Sequence, residues 1–267
     1  MNQFDYELAK WKNYSRMLGF AKADQSEKDY LQELVLFELY SGKFGGALVF
    51  RGGTAISKFY GSGRFSEDID IIIKEDIEAA EIERETDRVL KGLNAYYSTS
   101  YSTEHYRNML KYKLKIKGPI YTVAKNEQAK QTLQIDINTR ERPFFETKDI
   151  YRTTIYEDLK PYMINIESPQ ELLTDKLKAI IERTKPVARD LYDAWILIKK
   201  HRIKPDLKIV NEKITKYGKK ENEVFSAEEL NSRVREIKKI WERELSRLMR
   251  TIPDYNTVRK EFEKSIR

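Results

Sequence analysis

Two aspartates one residue apart, Asp68 and Asp70, stand in the apolar run Asp68-Ile69-Asp70-Ile71-Ile72-Ile73. Side chains alternate across a strand, so both carboxylates face one side while Ile69, Ile71 and Ile73 face the other. Like charges side by side repel unless a cation lies between them, and aspartate is a poor strand former. Hard oxygen ligands at this spacing suit Mg2+, which takes one or two carboxylates together with substrate phosphates. The plainer alternative is a solvated edge strand, but the strongly apolar flanks favour a central one. A third carboxylate, Asp136, sits in Leu133-Gln134-Ile135-Asp136-Ile137-Asn138. If the two strands are neighbours, Asp136 completes a two-metal clamp; alone, it also fits an exposed strand position. Upstream, Gly52-Gly53-Thr54 follows a short apolar run and precedes a helical pattern. Glycine there lets the backbone approach a ligand, and a helix N-terminus presents free N–H groups to an anion. A Gly-Gly pair also fits an ordinary tight turn.

These residues need elements to hold them. Residues 1–40 read as mainly helical, with Ser26 and Asp29 as a capping start and Leu31, Leu34, Val35 and Leu39 on one face. Ala47–Phe50 and Asp68–Ile73 read as buried strands, Thr54–Tyr60 and the region 77–90 as helices. Residues 112–117 and 133–138 alternate at period two, as half-buried strands of one sheet. After about residue 165 strand signals stop. Ser168-Pro169 with Glu171 opens a helix, Pro186 a second, and Ser226-Ala227-Glu228-Glu229 a long one ending near Pro253. The expected architecture is α+β: a mixed-sheet domain with N-terminal helices over residues 1–165, and an all-helical domain over 166–267.

Composition narrows the chemistry. The 267 residues contain no cysteine and two histidines, which excludes thiolate zinc sites and cysteine nucleophiles and makes a His-rich metal site a poor candidate. No apolar run approaches the ~20 residues needed to span a bilayer, so a cytoplasmic protein without membrane contact is expected. Fifty Lys and Arg against 43 Asp and Glu leave a formal charge of +7. Residues 1–165 are neutral and residues 166–267 carry the whole excess, which suits a polyanionic partner.

The order Gly-Gly-Thr at a strand end, Asp-x-Asp with an apolar middle, then a distant strand aspartate resembles the polymerase-β-like nucleotidyltransferase superfamily. More narrowly, Phe50-Arg51-Gly52-Gly53-Thr54 and Arg64-Phe65-Ser66-Glu67-Asp68-Ile69-Asp70 resemble the AbiEii/AbiGii toxins of abortive-infection and type IV toxin–antitoxin systems. Thr174-Asp175-Lys176 with the later Arg183, and Arg189-Asp190-Leu191-Tyr192-Asp193, match that family's downstream motifs. Lys176 and Arg183 lie seven apart, so both cations can face one site. Where a lysine often precedes the third aspartate in the family, this chain has Gln134-Ile135.

The resemblance implies Mg2+-dependent nucleotidyl transfer from an NTP to an acceptor, with pyrophosphate released. Asp68, Asp70 and Asp136 would hold metal. The backbone at Gly52 and Gly53, with Thr54 and Lys58, would cradle the triphosphate. Lys176 would neutralise transferring phosphate with Arg183 in support, and Asp190 would either position Lys176 or contact the nucleotide. The implied acceptor is RNA, foremost a tRNA 3′ end, and the implied partner a cognate antitoxin. Nucleotidylation of a protein, and a non-catalytic RNA- or antitoxin-binding relative, are the alternatives. Tyr192, Trp195, Tyr217 and Trp241 would serve either as base-stacking surfaces or as core.

Overall fold

The computed structural model describes residues 3–218 and 224–266. The chain opens with two helices, α1 (Gln3–Leu18) and α2 (Ala23–Ser41), then runs β1 (Leu48–Arg51), α3 (Gly52–Phe59) and β2 (Asp68–Ile73). Helix α4 (Ala79–Gly92) leads into the hairpin β3 (Thr99–Tyr106) and β4 (Met109–Ile116), followed by the short α5 (Pro119–Ala124). Strands β5 (Gln131–Asn138), β6 (Lys148–Arg152) and β7 (Tyr162–Ile166) complete the sheet. The rest is helical: α6 (Pro169–Glu182), α7 (Ala188–His201), α8 (Leu207–Tyr217), α9 (Ala227–Glu236), α10 (Trp241–Leu245) and α11 (Tyr255–Ser265). The fold is α+β, with a mixed sheet and a helical C-terminal region.

The seven strands lie in the order β3-β4-β5-β2-β1-β7-β6, which puts β2 at the centre. Its isoleucines explain that position: Ile69, Ile71, Ile72 and Ile73 are all buried, as a strand covered on both faces requires. Strand β5 runs parallel to β2, and β1 and β4 are antiparallel to their neighbours in this centre. Helices α2 and α4 cover one face over β5, β7 and β3. A single apolar core joins Leu31 and Leu34 of α2, the central strands, and Leu177, Leu191, Trp241 and Phe262 of the later helices. The expected boundary between residues 165 and 166 falls at the end of β7.

Several local expectations are corrected. Ser26 lies inside α2, buried, and donates to the main-chain oxygens of Trp11 and Ala23 instead of capping. Ser226 does cap, in a reciprocal box with Glu229, but its helix ends at Glu236 and a 3-10 turn precedes α10. Strands β3, β6 and β7 are additional to the strands expected. Ser168 caps α6 by accepting from the Glu171 amide, as its position before Pro169 predicts.

Candidate active site

The central strands bring the three aspartates to one face. In the parallel β2–β5 register Asp70 pairs with Asp136, and Asp68 with Gln134. On the other side of β2, Arg51 pairs with Asp70. The three aspartates and Arg51 line a cleft of about 270 Å3 together with Gly52, Gly53, Lys176, Arg183, Arg189 and Asp190. Among the described residues no cation lies within ion-pair distance of Asp68 or Asp70. Burial, partly offset by Arg51 and reinforced by Asp68 and Asp136, pushes the Asp70 carboxyl up to about 6. Burial also raises Asp68, with Arg189 acting against it from across the cleft. Asp136 accepts from the Gln134 amide at 3.1 and 3.2 Å and meets Lys111 of β4 at 3.4 Å. Lys111 is thus the cation beside Asp136.

The glycine turn fits tightly around these carboxylates. Gly52 has φ +75°, and a Cβ there would overlap the Asp70 carboxylate. At Gly53 a Cβ would stand 2.6 Å from Arg64 Nη2 and 2.9 Å from Ser66 Oγ. The N-terminus of α3 therefore opens beside the aspartates with no side chain in between. The Thr54 hydroxyl is committed to the main-chain oxygen of Asp68, so it braces α3 against β2. Lys58 is not brought to the cleft. Its amine is buried at 2.5 Å from Asp29 and 3.1 Å from Glu33 of α2.

The helical half completes the wall. Helices α6 and α7 pack together, and Lys176 Nζ lies 3.1 Å from Asp190 Oδ1 and 2.9 Å from Asp193 Oδ2. Arg183 reaches the other Asp190 oxygen at 2.6 Å. Asp193 in turn takes a two-pronged contact from Arg64 at 2.7 and 2.5 Å. Burial alone would raise Asp193, yet Arg64 and Lys176 hold it below its ordinary value. Arg64 and Asp193 belong to the quoted motifs, but alternation and helical spacing give no sign that the two meet. Tyr192, Trp195 and Trp241 are buried in the core, while Tyr217 packs on Phe144.

A second acidic cluster adjoins the first. Glu167, Glu171 and Asp175 bring three carboxylate oxygens within 4.8 Å of one another, a geometry able to hold a cation. Arg51 already contacts Glu167 at 3.2 Å and Asp175, and Lys213 of α8 contacts both Glu171 and Asp175. Burial opposes ionisation of Asp175, but Arg51 and Lys213 keep it well below the usual carboxylate range. The donor chemistry distinguishes the two sites. In the compact cluster Arg51 and Lys213 hold Glu171 and Asp175, while burial, partly offset by Arg51, keeps the Glu167 carboxyl well above its ordinary value. Among the described residues Asp68 and Asp70 have no such pair; beside Asp136, which meets Lys111, they form the set whose charge calls for a cation from outside.

Comparison with known proteins bears on the fold and the family. A protein assigned to the nucleotidyltransferases, from H. pylori, superposes with a TM-score of 0.54 at 17% identity, over 90% of this chain and 91% of that one. JHP933 from Helicobacter pylori superposes with a TM-score of 0.51 at 19% identity, over 91% and 90%. At these identities the likeness speaks for the fold alone. No curated protein sequence matches the chain. The family described as nucleotidyl transferase AbiEii toxin, type IV toxin–antitoxin system, matches residues 34–264. The chain therefore belongs to the AbiEii nucleotidyltransferase toxins, a membership that implies an NTP substrate and an antitoxin partner.

Proposed function

We propose that the cleft transfers a nucleotidyl group from an NTP to the 3′-hydroxyl of an RNA, foremost a tRNA, in a Mg2+-dependent reaction. The observation that carries this reading is the alignment of Asp68, Asp70 and Asp136 on adjacent strands, with no ion-pair partner for the first two among the described residues. These three would hold the metal, which when bound supplies positive charge to the triphosphate. The acceptor oxygen forms a bond to the α-phosphorus, and the bond from that phosphorus to the bridging oxygen of the β-phosphate breaks. Pyrophosphate leaves with the electron pair, and Asp136 receives the hydroxyl proton. Backbone N–H groups at Gly52 and Gly53 meet the phosphates at the start of α3. Lys176 faces the same space and offsets charge that develops on transfer, with Arg183 beside it. Asp190 grips both cations and so positions them. Lys58, held by Asp29 and Glu33, has no part in this arrangement.

The direct test incubates the protein with each α-labelled NTP, Mg2+ and either total RNA, purified tRNA or protein alone. Label is expected on the 3′ end of RNA and absent when Mg2+ is chelated. Label on protein with RNA unmodified would overturn the RNA reading, and no label on any acceptor would overturn the catalytic one.

A further inference from the structure

The hairpin β3–β4 extends the face that carries the aspartates. Successive rows run straight across the sheet: Asp70, Asp136, Lys111 and Glu104 in one, then Asp68, Gln134, Lys113 and Ser102 in the next. Thr132, Lys115 and Ser100 form a third. Alternation places Lys111, Lys113 and Lys115 on the cleft face and Leu110, Tyr112, Leu114 and Ile116 in the core. Lys113, Lys115, Ser100, Ser102 and Thr132 are exposed, so no helix covers this part of the sheet. The opposite face is different in kind: α4 packs on β3 there, and its Glu83 meets His105. Among the described residues Lys113 and Lys115 have no ion-pair partner. In the helical half, by contrast, Lys178 meets Glu182, and Lys213 meets Glu171 and Asp175.

At the tip of the hairpin, Tyr106 pairs with Met109, itself a wall of the cleft. Tyr106 is 62% exposed, and the Arg107 guanidinium lies 5.6 Å from its ring centre. An exposed aromatic with an arginine is a platform for stacking a base. Lysines two apart on a strand stand roughly 7 Å apart, comparable with successive phosphates of an extended strand. Lys113 stands roughly 10 Å, or two strand spacings, from Asp68 along their shared row.

We infer that the open face of the β3–β4 hairpin is the acceptor track: an extended RNA strand lies on Lys113 and Lys115, with Tyr106 stacking a base beside the cleft. This rests on the RNA reading above and locates its acceptor. Glu104, the one acidic side chain that β3 and β4 contribute to these rows, faces Lys111 and leaves the outer lysines for phosphate. The surface commits to RNA over a protein acceptor because its contacts are a cation ladder and one aromatic, with no apolar patch for a folded partner.

The test compares wild type with the double variant Lys113→Ala/Lys115→Ala, with Tyr106→Ala, and with the surface control Lys208→Ala. Transfer to purified tRNA is followed over a range of RNA concentrations, and binding of the same RNA over a range of salt. The double variant is expected to raise the acceptor KM roughly tenfold, with kcat recovered at saturating RNA, and to shallow the salt slope by roughly 1.4. Tyr106→Ala should raise KM without changing that slope, and Lys208→Ala should behave as wild type. Unchanged KM and slope in the double variant, while wild type still labels RNA, would overturn the track alone. Wild type that neither binds nor labels RNA but labels protein would overturn the track together with the reading beneath it.

Discussion

Two carboxylate clusters lie on either side of Arg51 and have opposite characters. Glu167, Glu171 and Asp175 converge more tightly, within 4.8 Å, yet Arg51 and Lys213 balance Glu171 and Asp175 from inside the protein, and burial keeps the Glu167 carboxyl well above its ordinary value. Asp68, Asp70 and Asp136 spread across two strands and are left short of positive charge. Convergence of oxygens is therefore a poor guide to a metal site by itself. Charge balance decides, because an ionised carboxylate removed from water is costly unless a cation accompanies it. The filled cluster ties β1, α6 and α8 together; the unfilled one faces the cleft.

The largest effect that separates the two comes from Asp70→Asn. It should lower nucleotidyl transfer by roughly 10^3-fold or more, since it removes a ligand and a charge at once. Because burial already pushes this carboxyl up to about 6, the variant should unfold at the same temperature as wild type or a higher one. Transfer within tenfold of wild type would remove Asp70 from the chemistry. A lowered unfolding temperature would mean that the cluster is structural, like its neighbour.

Lys213→Met makes the reciprocal cut. Glu171 and Asp175 then lose a buried partner, and stability should fall by roughly 3–5 kcal/mol in chemical denaturation. Adding Glu171→Leu to that variant should recover much of the loss, because the uncompensated charge is gone. A loss below about 1 kcal/mol would show that solvent or a metal ion reaches this cluster, and the contrast would fail.

Gly52→Ala acts on the boundary between the clusters, since Gly52 follows Arg51 and touches Asp70. A side chain there meets both a left-handed φ and the Asp70 carboxylate. The expected cost is about 1–3 kcal/mol of stability, with transfer lowered roughly 10- to 100-fold as Asp70 is displaced. A variant with wild-type kcat would show that the close approach has no bearing on the reaction.

Much of the open cluster was legible in the sequence. Alternation alone puts Asp68 and Asp70 on one face, and the isoleucines between and after them demand a central strand. Asp136 needed one further fact, the β2–β5 pairing, which no local pattern contains. Lys58 shows the limit: it follows the glycine turn closely, but six residues along α3 turn it to the side facing α2, where Asp29 and Glu33 take its charge. Lys213 was beyond reach, because it meets Glu171 across 42 residues and its own helix reads as ordinary. Strand β3 escaped for a different reason. It is an edge strand with one face in water, and its inward positions Thr99, Thr103 and His105 are not apolar, so the alternation that marks a strand is faint. The hairpin face proposed for RNA was half visible, in the lysines that alternate with Tyr112, Leu114 and Ile116.

Glu27 sharpens the comparison from a third direction, with an effect on stability alone and none on transfer. It is fully buried in α2 and has neutral partners: the Ile120 amide and the Gln131 side chain, each donating at 2.6 Å. Without a cation, burial pushes its carboxyl up to about 7. The native state thus holds a proton between pH 4.5 and 7 that the unfolded chain has released, so stability is fully present below pH 4.5 and declines as pH rises through 7. Glu27→Gln keeps the shape and abolishes the titration. Its stability relative to wild type should rise by about 3 kcal/mol from pH 4.5 to 8, measured by denaturant unfolding at each pH. A difference that stays constant across that range would mean that neutral donors suffice to hold a buried carboxylate ionised here. The case that Asp70 needs an external cation would then lose its nearest internal parallel.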